Sequence, residues 1–339
     1  MGYMDHTMDV DSDLVLGWTR LAVLIMCMGW AAWFDHKDRR VSNDHWIVWA
    51  KPVVFIWSLD LLIQGAHWSI WLTASALIAY ASGSVIGRPT LKDAKAGNRM
   101  DQMVLGWYGI SIVGLIAGAI HFSSSSPLDV LLGNETGDAA LWWAYVGGLF
   151  VLFVIDLSWR MRFIHGGADA KALMWVTLLF PSWGELPIHS EVYMDKVILH
   201  LPPSLSLLIW GGLFFLLIPI ILLVRNIASG NVRSLSDLSM AWIALTVPIS
   251  TVQDRHAWIL TDTMELPNGD LKVYHRRRAP RQSPSDEEVQ IHIEKLMNEG
   301  VENVWVSLKL PLLLFLWPAI LPLWLFGDPM ALVIPVLLP

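Results

Sequence analysis

Two aspartates, Asp35 and Asp169, have the residue type and the setting for acid–base chemistry. Asp35 follows a long apolar run, and Asp169 stands just before another, directly after Gly166 and Gly167. Two facing carboxylates in a partly desolvated site cannot easily both be ionised, so they share a proton near neutral pH. The ionised member can then take a proton from water while the other polarises a peptide carbonyl. The pair predicts peptide hydrolysis, and the sequence leaves open which aspartate carries the proton.

The composition predicts the surroundings of this pair. The chain has 339 residues, of which 55% are hydrophobic and 16% charged, and its mean hydropathy is +0.50. Soluble domains are about a quarter charged, so we predict a polytopic α-helical membrane protein. The net charge of -7 argues against nucleic-acid binding. Because Cys27 is the only cysteine, neither a disulfide framework nor a Cys-based zinc site is expected, and we predict no metal and no cofactor.

About eight transmembrane helices are expected. A helix needs about 20 mainly apolar residues to cross a hydrocarbon core of about 30 Å. The sixth candidate is the weakest, because it is short and Pro181 and Pro187 interrupt it. The candidates cover residues 14–34, 46–63, 67–86, 103–122, 139–155, 172–188, 205–224 and 311–326.

The distribution of Lys and Arg predicts the orientation of these helices. Basic residues concentrate in the loops after the first, third, fifth and seventh candidates, with Lys51 just inside the start of the second candidate, and only Arg20 and Lys196 fall elsewhere. The positive-inside rule therefore places the N-terminus outside the cell and these loops in the cytoplasm. Four candidate helices, an even number, separate Asp35 from Asp169, so both aspartates are expected at the cytoplasmic face of a multi-pass protein of the cell membrane.

The long polar stretch before the last apolar run predicts a small cytoplasmic α/β subdomain. Asn268-Gly269 is typical of a hairpin turn, and Ser285 with Glu288 forms a capping box at a helix start. The predicted elements are a hairpin over 258–266 and 271–275, a helix over 286–299 and a strand over 304–308. The predicted division is a membrane core with both aspartates over 1–226, the subdomain over 227–309, and a final helix with a C-terminal tail over 310–339.

Two strings around the aspartates carry a resemblance. The segment from Asp35 to Asn43, DHKDRRVSN, resembles the D-x-K-x-R-x-V-x-N segment that follows the first helix of archaeal preflagellin and prepilin peptidases. The segment from Gly166 to Leu173, GGADAKAL, resembles their second motif, usually written GxGD. Softer matches are Pro181, Asn226 and the string VWVSLKLP that enters the last apolar run.

The resemblance implies a membrane aspartyl endopeptidase that removes short basic leader peptides from archaellin or type IV pilin-like precursors at the cytoplasmic side. Asp35 and Asp169 match its catalytic pair. Two departures stand out: Ala168 replaces the second motif glycine, and an extra helical pair lies between the motifs. The Cys-rich segment of many bacterial relatives is missing, and with it any ground for N-methyltransferase activity. The matching support residues are Lys37, Arg39, Asn43, Gly166, Gly167 and Lys171.

Other polar residues have structural interpretations beside functional ones. Lys37, Arg39 and Lys171 pair with carboxylates or membrane lipids, or simply reflect the positive-inside charge. Asn43 is expected to cap or position the second helix. The intramembrane charges Arg20 and Asp60 lie at similar depths and are expected to form a structural ion pair. Histidines near the outer helix ends are expected to be interfacial rather than metal ligands; they are His67, His121, His189 and His200.

Three alternatives to the prepilin-type peptidase stay open. The first is a transporter that uses Arg20 and Asp60 as a coupling pair. The second is an inactive scaffold that assembles with pilus components. The third is a protease of the presenilin or signal-peptide-peptidase type, which carries both aspartates within helices. We rank it lower because the sequence places Asp35 in a charged turn just outside the first helix.

Overall fold

The computed structural model describes residues 5–132, 134–187, 200–232, 234–253, 256–267, 271–280 and 284–337. The described residues form two compact units. The first, here called the helical unit, comprises Met1–Gly212 and Pro311–Pro339. The second, here called the α/β unit, comprises Leu213–Leu310.

The helical unit is built from helices joined by short connections. Before the unit boundary these are α1 (Asp5–Asp38), α2 (Asn43–Ile63), α3 (Trp68–Ser82), α4 (Leu91–Lys95), α5 (Arg99–His121), α6 (Pro127–Leu131), α7 (Asp138–Arg160) and α8 (Gly167–Leu179). The unit boundary falls inside α9 (Pro203–Ala228). The elements after the α/β unit are α12 (Leu313–Leu316), α13 (Ile320–Phe326) and α14 (Pro329–Leu337).

Five helices in the described part of the chain are long and apolar enough to cross a membrane. They are α1 from Ser12, α2, α5, α7 and α9. Each contains one of the stretches predicted from sequence, except that α5 ends one residue before its stretch does. The other three predicted stretches form shorter helices: α3 has 15 residues, α8 has 13, and the last is divided between α12 and α13. The structure therefore supports a mostly helical membrane protein, while the count of eight spans stays a prediction.

The short helix α8 lies at the centre of the helical unit. Every residue from Ala172 to Phe180 is buried, and α8 contacts α1, α2, α3, α7 and α12. Because protein surrounds α8 on all sides, its apolar residues are removed from water without any need to face lipid. The helix ends at Leu179, two residues before Pro181, which cannot continue a helical hydrogen-bond ladder.

Small residues allow α5 to approach α3 closely. A Cβ atom added to Gly114 would overlap Leu72, with the backbone carbonyl carbon of Leu72 only 2.9 Å away. Gly109, on the same helix, has no neighbouring heavy atom within 4 Å of the equivalent position and is exposed. The packing therefore requires glycine at position 114 and tolerates a side chain at position 109.

The α/β unit contains two small sheets and a covering helix. Strands β1 (Leu245–Pro248), β5 (Asn303–Leu308) and β2 (Ala257–Ile259) form an antiparallel sheet in the order β1-β5-β2. Strands β3 (Thr261–Glu265) and β4 (Leu271–His275) form a hairpin. Helices α10 (Leu235–Ala241) and α11 (Asp286–Asn298) complete the unit, and α11 contributes Ile293 and Leu296 to its apolar core.

The predicted elements of this unit are largely confirmed. Helix α11 begins with the Ser285–Glu288 capping box, and β5 covers the predicted last strand. The prediction of one continuous first arm of the hairpin over 258–266 was wrong, because Leu260 separates β2 from β3. The Leu260 amide donates to the Trp305 carbonyl, so β2 pairs with β5 while β3 alone pairs with β4. The predicted Asn268-Gly269 turn lies outside the described residues.

The contrast between Gly114 and Gly109 gives a test of the helix packing. Gly114→Ala should lower the free energy of unfolding by about 1–3 kcal/mol, because the added methyl group meets backbone that cannot move away. Gly109→Ala is the matched control on the same helix. It should be neutral or raise the stability by about 0.5–1 kcal/mol, since alanine favours helix. Thermal unfolding of the full chain in detergent measures both, and equal melting temperatures for the two variants would contradict the packing.

Candidate active site

Asp35 lies within α1, in its last turn, and only 9% of its surface is exposed. The residues that follow it, His36, Lys37 and Asp38, are exposed. Arg39 reverses the chain after the helix with a φ of 55°, and its guanidinium interacts electrostatically with Asp35. The expectation that Asp35 stands in a turn outside the helix was therefore wrong, because α1 continues through Asp38 before the chain turns.

Asp169 lies in the first turn of α8, and its carboxyl group folds back over Gly166. A Cβ atom at position 166 would overlap this carboxyl group, with the Asp169 Cγ only 2.7 Å away. A Cβ atom at Gly167 would lie 3.2 Å from the Trp159 ring. The space that these glycines leave open is thus filled by side chains of the chain itself.

The backbone around this motif is ordinary. Gly166 has a φ of -83°, and Ala168 lies inside the regular helix α8. No residue of this motif adopts the left-handed conformation that favours glycine. Glycine is needed at position 166 for room rather than for an unusual angle, and alanine at position 168 fits without strain.

The structure brings Asp35 and Asp169 within electrostatic reach of each other. The pKa of Asp169 is raised from its ordinary value of 3.8 to about 6, first because burial disfavours the charged form, and second because the Asp35 carboxylate repels a second negative charge. Asp169 therefore changes its charge close to neutral pH. An aspartate pair with this property can hold one proton between its members.

A hydrogen-bonded chain joins the two motifs beside the aspartates. The Lys171 ammonium donates to the Asn43 Oδ1 at 2.7 Å, and the Asn43 Nδ2 donates to the Val85 carbonyl at 2.8 Å. These contacts tie the start of α8 to the start of α2 and to the segment after α3. Burial lowers the pKa of the Lys171 ammonium.

Asn43 therefore positions α2 but does not cap it. The cap is Ser42, whose hydroxyl accepts from the His45 amide. Of the other predicted support residues, Lys37 is exposed, and so are the two histidines that flank the aspartates in sequence, His36 and His165.

A second cluster of charges, towards the other end of α1 and α2, forms the predicted ion pair. The Arg20 Nη2 donates to the Asp60 Oδ2 at 2.5 Å, and both residues are buried. The Gln64 Nε2 donates to the other oxygen of Asp60 at 2.7 Å. The pair is thus confirmed.

The described residues contain no group of three or more His, Cys, Asp or Glu side chains arranged to hold a metal ion. His67 and His121 stack on each other with ring centroids 4.1 Å apart, and the His200 Nδ1 lies 3.7 Å from Asp328. His189 lies outside the described residues.

Asp156, which the sequence motifs did not single out, is buried near the end of α7 and binds Arg88 and Arg160. The signal was present, because an acid four residues before an arginine at the end of an apolar helix is a typical helical ion pair. Arg88 could not be found in this way, since it comes from a distant segment.

A scan of known protein families finds no model that matches this chain. A search of curated proteins likewise finds no significant match.

The raised pKa of Asp169 predicts a pH-dependent stability. The folded chain binds the Asp169 proton more tightly than the unfolded chain, so stability falls as the pH rises from about 4 to about 6 and stays lower above that. Asp169→Asn removes this loss. At pH 8 it should be more stable than the wild type by up to about 3 kcal/mol, and at pH 4 the two should be similar.

Melting temperatures measured across pH 4 to 8 test this expectation. Asp38→Asn, at an exposed carboxyl group in the same part of α1, is the control and should follow the wild type. If Asp169→Asn also follows the wild type at every pH, Asp169 is not held in the desolvated setting described above.

Proposed function

We propose that this chain is a membrane aspartyl endopeptidase that cleaves basic leader peptides from archaellin or type IV pilin-like precursors. The observation that carries the proposal is that Asp169, whose carboxyl group is packed over Gly166, lies within electrostatic reach of Asp35. Burial first, and the Asp35 carboxylate second, raise the pKa of Asp169 to about 6. A structural carboxylate at a helix end is usually paired with a cation or solvated. Two partly desolvated acids that lie near each other are typical of a site that handles protons.

The reaction needs the two carboxyl groups in different protonation states. The ionised aspartate takes a proton from a water molecule, whose oxygen then attacks the carbonyl carbon of the scissile peptide bond. The protonated aspartate donates a hydrogen bond to the carbonyl oxygen and stabilises the charge that develops there. A proton then passes to the amide nitrogen, the C–N bond breaks, and the pair is left with one proton again.

The hydrogen-bonded chain from Lys171 through Asn43 to Val85 supports this chemistry by holding the segments that carry Asp35 and Asp169 at a constant separation. Asp169 is two residues before Lys171 on α8, while Asp35 precedes the turn that leads to Asn43. Lys171 and Asn43 therefore hold the two carboxylate-bearing segments together. We assign both of them positioning roles, and Gly166 makes room for the Asp169 carboxyl group.

The membrane setting defines the substrate in this proposal. The precursor's apolar helix lies in the bilayer, and its basic leader lies in the cytoplasm, where the positive-inside rule also places the aspartates. The scissile bond between leader and helix then lies at the level of the pair. The proposed location is the cell membrane, with the active site at the cytoplasmic face.

A presenilin-type protease is the second candidate, and one observation favours it more than the sequence did. Asp35 lies inside α1, so both aspartates belong to helices. The two candidates differ in where the substrate is cut. Mass spectrometry of the products distinguishes a cut between leader and apolar helix from a cut within the apolar helix.

The transporter hypothesis gains no comparable support. Both carboxylate oxygens of Asp60 accept hydrogen bonds, one from Arg20 and one from Gln64. A buried pair that is bonded in this way is costly to separate. We interpret it as a structural link between α1 and α2.

Processing of a precursor tests the catalytic pair. Co-expression with an archaellin precursor that carries a basic leader should give full processing by the wild type, and Asp35→Asn and Asp169→Asn should each lower the rate at least a thousandfold. An Asn side chain cannot take or release the proton that the reaction requires. The matched control is Asp38→Asn, which should process normally. Full processing by either catalytic variant, with normal membrane insertion, would reject the pair.

The room at Gly166 gives a finer test. Gly166→Ala should displace the Asp169 carboxyl group and lower the processing rate at least tenfold, because small misplacements of catalytic groups are expensive. Ala168→Gly, two residues away, restores the motif glycine and should leave the rate within about threefold of the wild type, because position 168 is regular helix. Immunoblots of precursor and product over time measure both variants, and equal rates would show that Asp169 does not depend on this space.

A further inference from the structure

A buried carboxylate near the end of α7 holds two arginines from different parts of the helical unit. The Asp156 Oδ2 accepts from the Arg88 Nη2 at 2.6 Å, from the Arg160 Nε at 3.0 Å and from the Tyr80 hydroxyl at 3.1 Å. Asp156 is 7% exposed, whereas about half of each arginine side chain is exposed. The Asp156 carboxylate therefore orients both guanidinium groups, and the exposed part of each arginine side chain remains accessible to a ligand.

This arrangement has a surplus of positive charge. One carboxylate compensates only one of the two guanidinium groups. The Lys171 ammonium lies nearby as well, 5.8 Å from the centre of the Trp159 ring, and Trp159 lies beside the arginines. The surplus faces a cavity of about 350 Å³ that Gly83 and Ser84 also line. A guanidinium is planar and presents paired donors, so two fixed guanidinium groups are suited to the oxygens of a phosphate group.

An apolar pocket adjoins this basic cavity. It has a volume of about 200 Å³ and lies between α2, α3 and α8, with walls that include Trp46, Ile78 and Trp175. Ser84 lines both spaces, and Lys171 lies at the rim of the apolar one. The two spaces together thus offer a cationic site formed by Arg88 and Arg160, here called the Arg88–Arg160 seat, and directly beside it an apolar pocket for a hydrocarbon chain.

We propose that the Arg88–Arg160 seat binds the phosphate of an anionic membrane lipid, with one acyl chain of the same lipid in the apolar pocket. Charge complementarity selects the headgroup, and the adjoining slot distinguishes a lipid from a free phosphate ion. Asp156 and Tyr80 position the arginines before the lipid arrives, which lowers the entropy lost on binding. The site uses neither Asp35 nor Asp169, although Lys171 lines the apolar pocket and also binds Asn43. Lipid binding is measured without peptidase activity, so its outcome is separate from that of the proposed function.

Lipid binding to the purified full chain tests the site. Delipidated protein in neutral detergent is titrated with phosphatidylglycerol or with phosphatidylcholine, and native mass spectrometry counts the bound lipid. The wild type should bind phosphatidylglycerol at least tenfold more tightly than phosphatidylcholine. Arg88→Gln and Arg160→Gln should each remove most of this preference. Arg99→Gln, at an exposed arginine outside both spaces, is the matched control and should bind as the wild type does.

A second variant separates the acyl-chain slot from the charge. Ala50→Trp fills the apolar pocket and should weaken phosphatidylglycerol binding at least fivefold while leaving both arginines in place. Glycerol phosphate, which has the charge but no chain, should compete poorly with the lipid. If an arginine variant does not fold, the Ala50→Trp and competition results decide the question alone. Equal binding of the two lipids by the wild type, or equal competition by glycerol phosphate, would overturn the proposal.

Discussion

The desolvation of two neighbouring carboxylates is the constraint on which the candidate site depends. A buried acid without a cationic partner costs free energy in its charged form, and the chain accepts that cost at Asp169. Five other helices enclose α8 and bury every residue from Ala172 to Phe180, while Asp169, in the first turn, is partly buried where this enclosure begins. The same enclosure explains why a helix of 13 residues can lie at the centre of the helical unit.

The ends of several helices are held together around this constraint. Lys171 on α8 binds Asn43 on α2, and Asn43 in turn binds the segment after α3. The start of α8 also packs against Trp159 on α7, since Gly167 has no side chain to keep that ring away. Each contact is modest alone, because exposed hydrogen bonds contribute little net stability. Together they define where the Asp169 carboxyl group lies relative to α1.

The carboxylates in this part of the helical unit have two different kinds of surroundings. Asp156 is buried but bonded to two arginines and a tyrosine, so its negative charge is compensated. Asp169, which is partly buried, lies near the buried Asp35, whose carboxylate disfavours a negative charge on Asp169. A carboxylate bonded to two arginines is suited to orienting them for an anionic ligand, whereas a carboxyl group with a raised pKa beside a second acid is suited to moving protons. This difference separates the proposed lipid seat from the proposed catalytic pair.

The sequence by itself determined the composition class, the five long apolar helices, the capping box of α11 and the strand β5, because these depend on local periodicity and local hydrogen bonds. It also singled out Asp35 and Asp169 through the strings around them. Only the tertiary structure decided that α1 continues through Asp35, that Asn43 binds Lys171 instead of capping α2, and that Arg88 and Arg160 share Asp156. The contacts of Asn43 with Lys171 and of Arg88 with Asp156 join residues that are far apart in the chain. Burial, which raises the pKa of Asp169, is a property of packing that no local pattern contains.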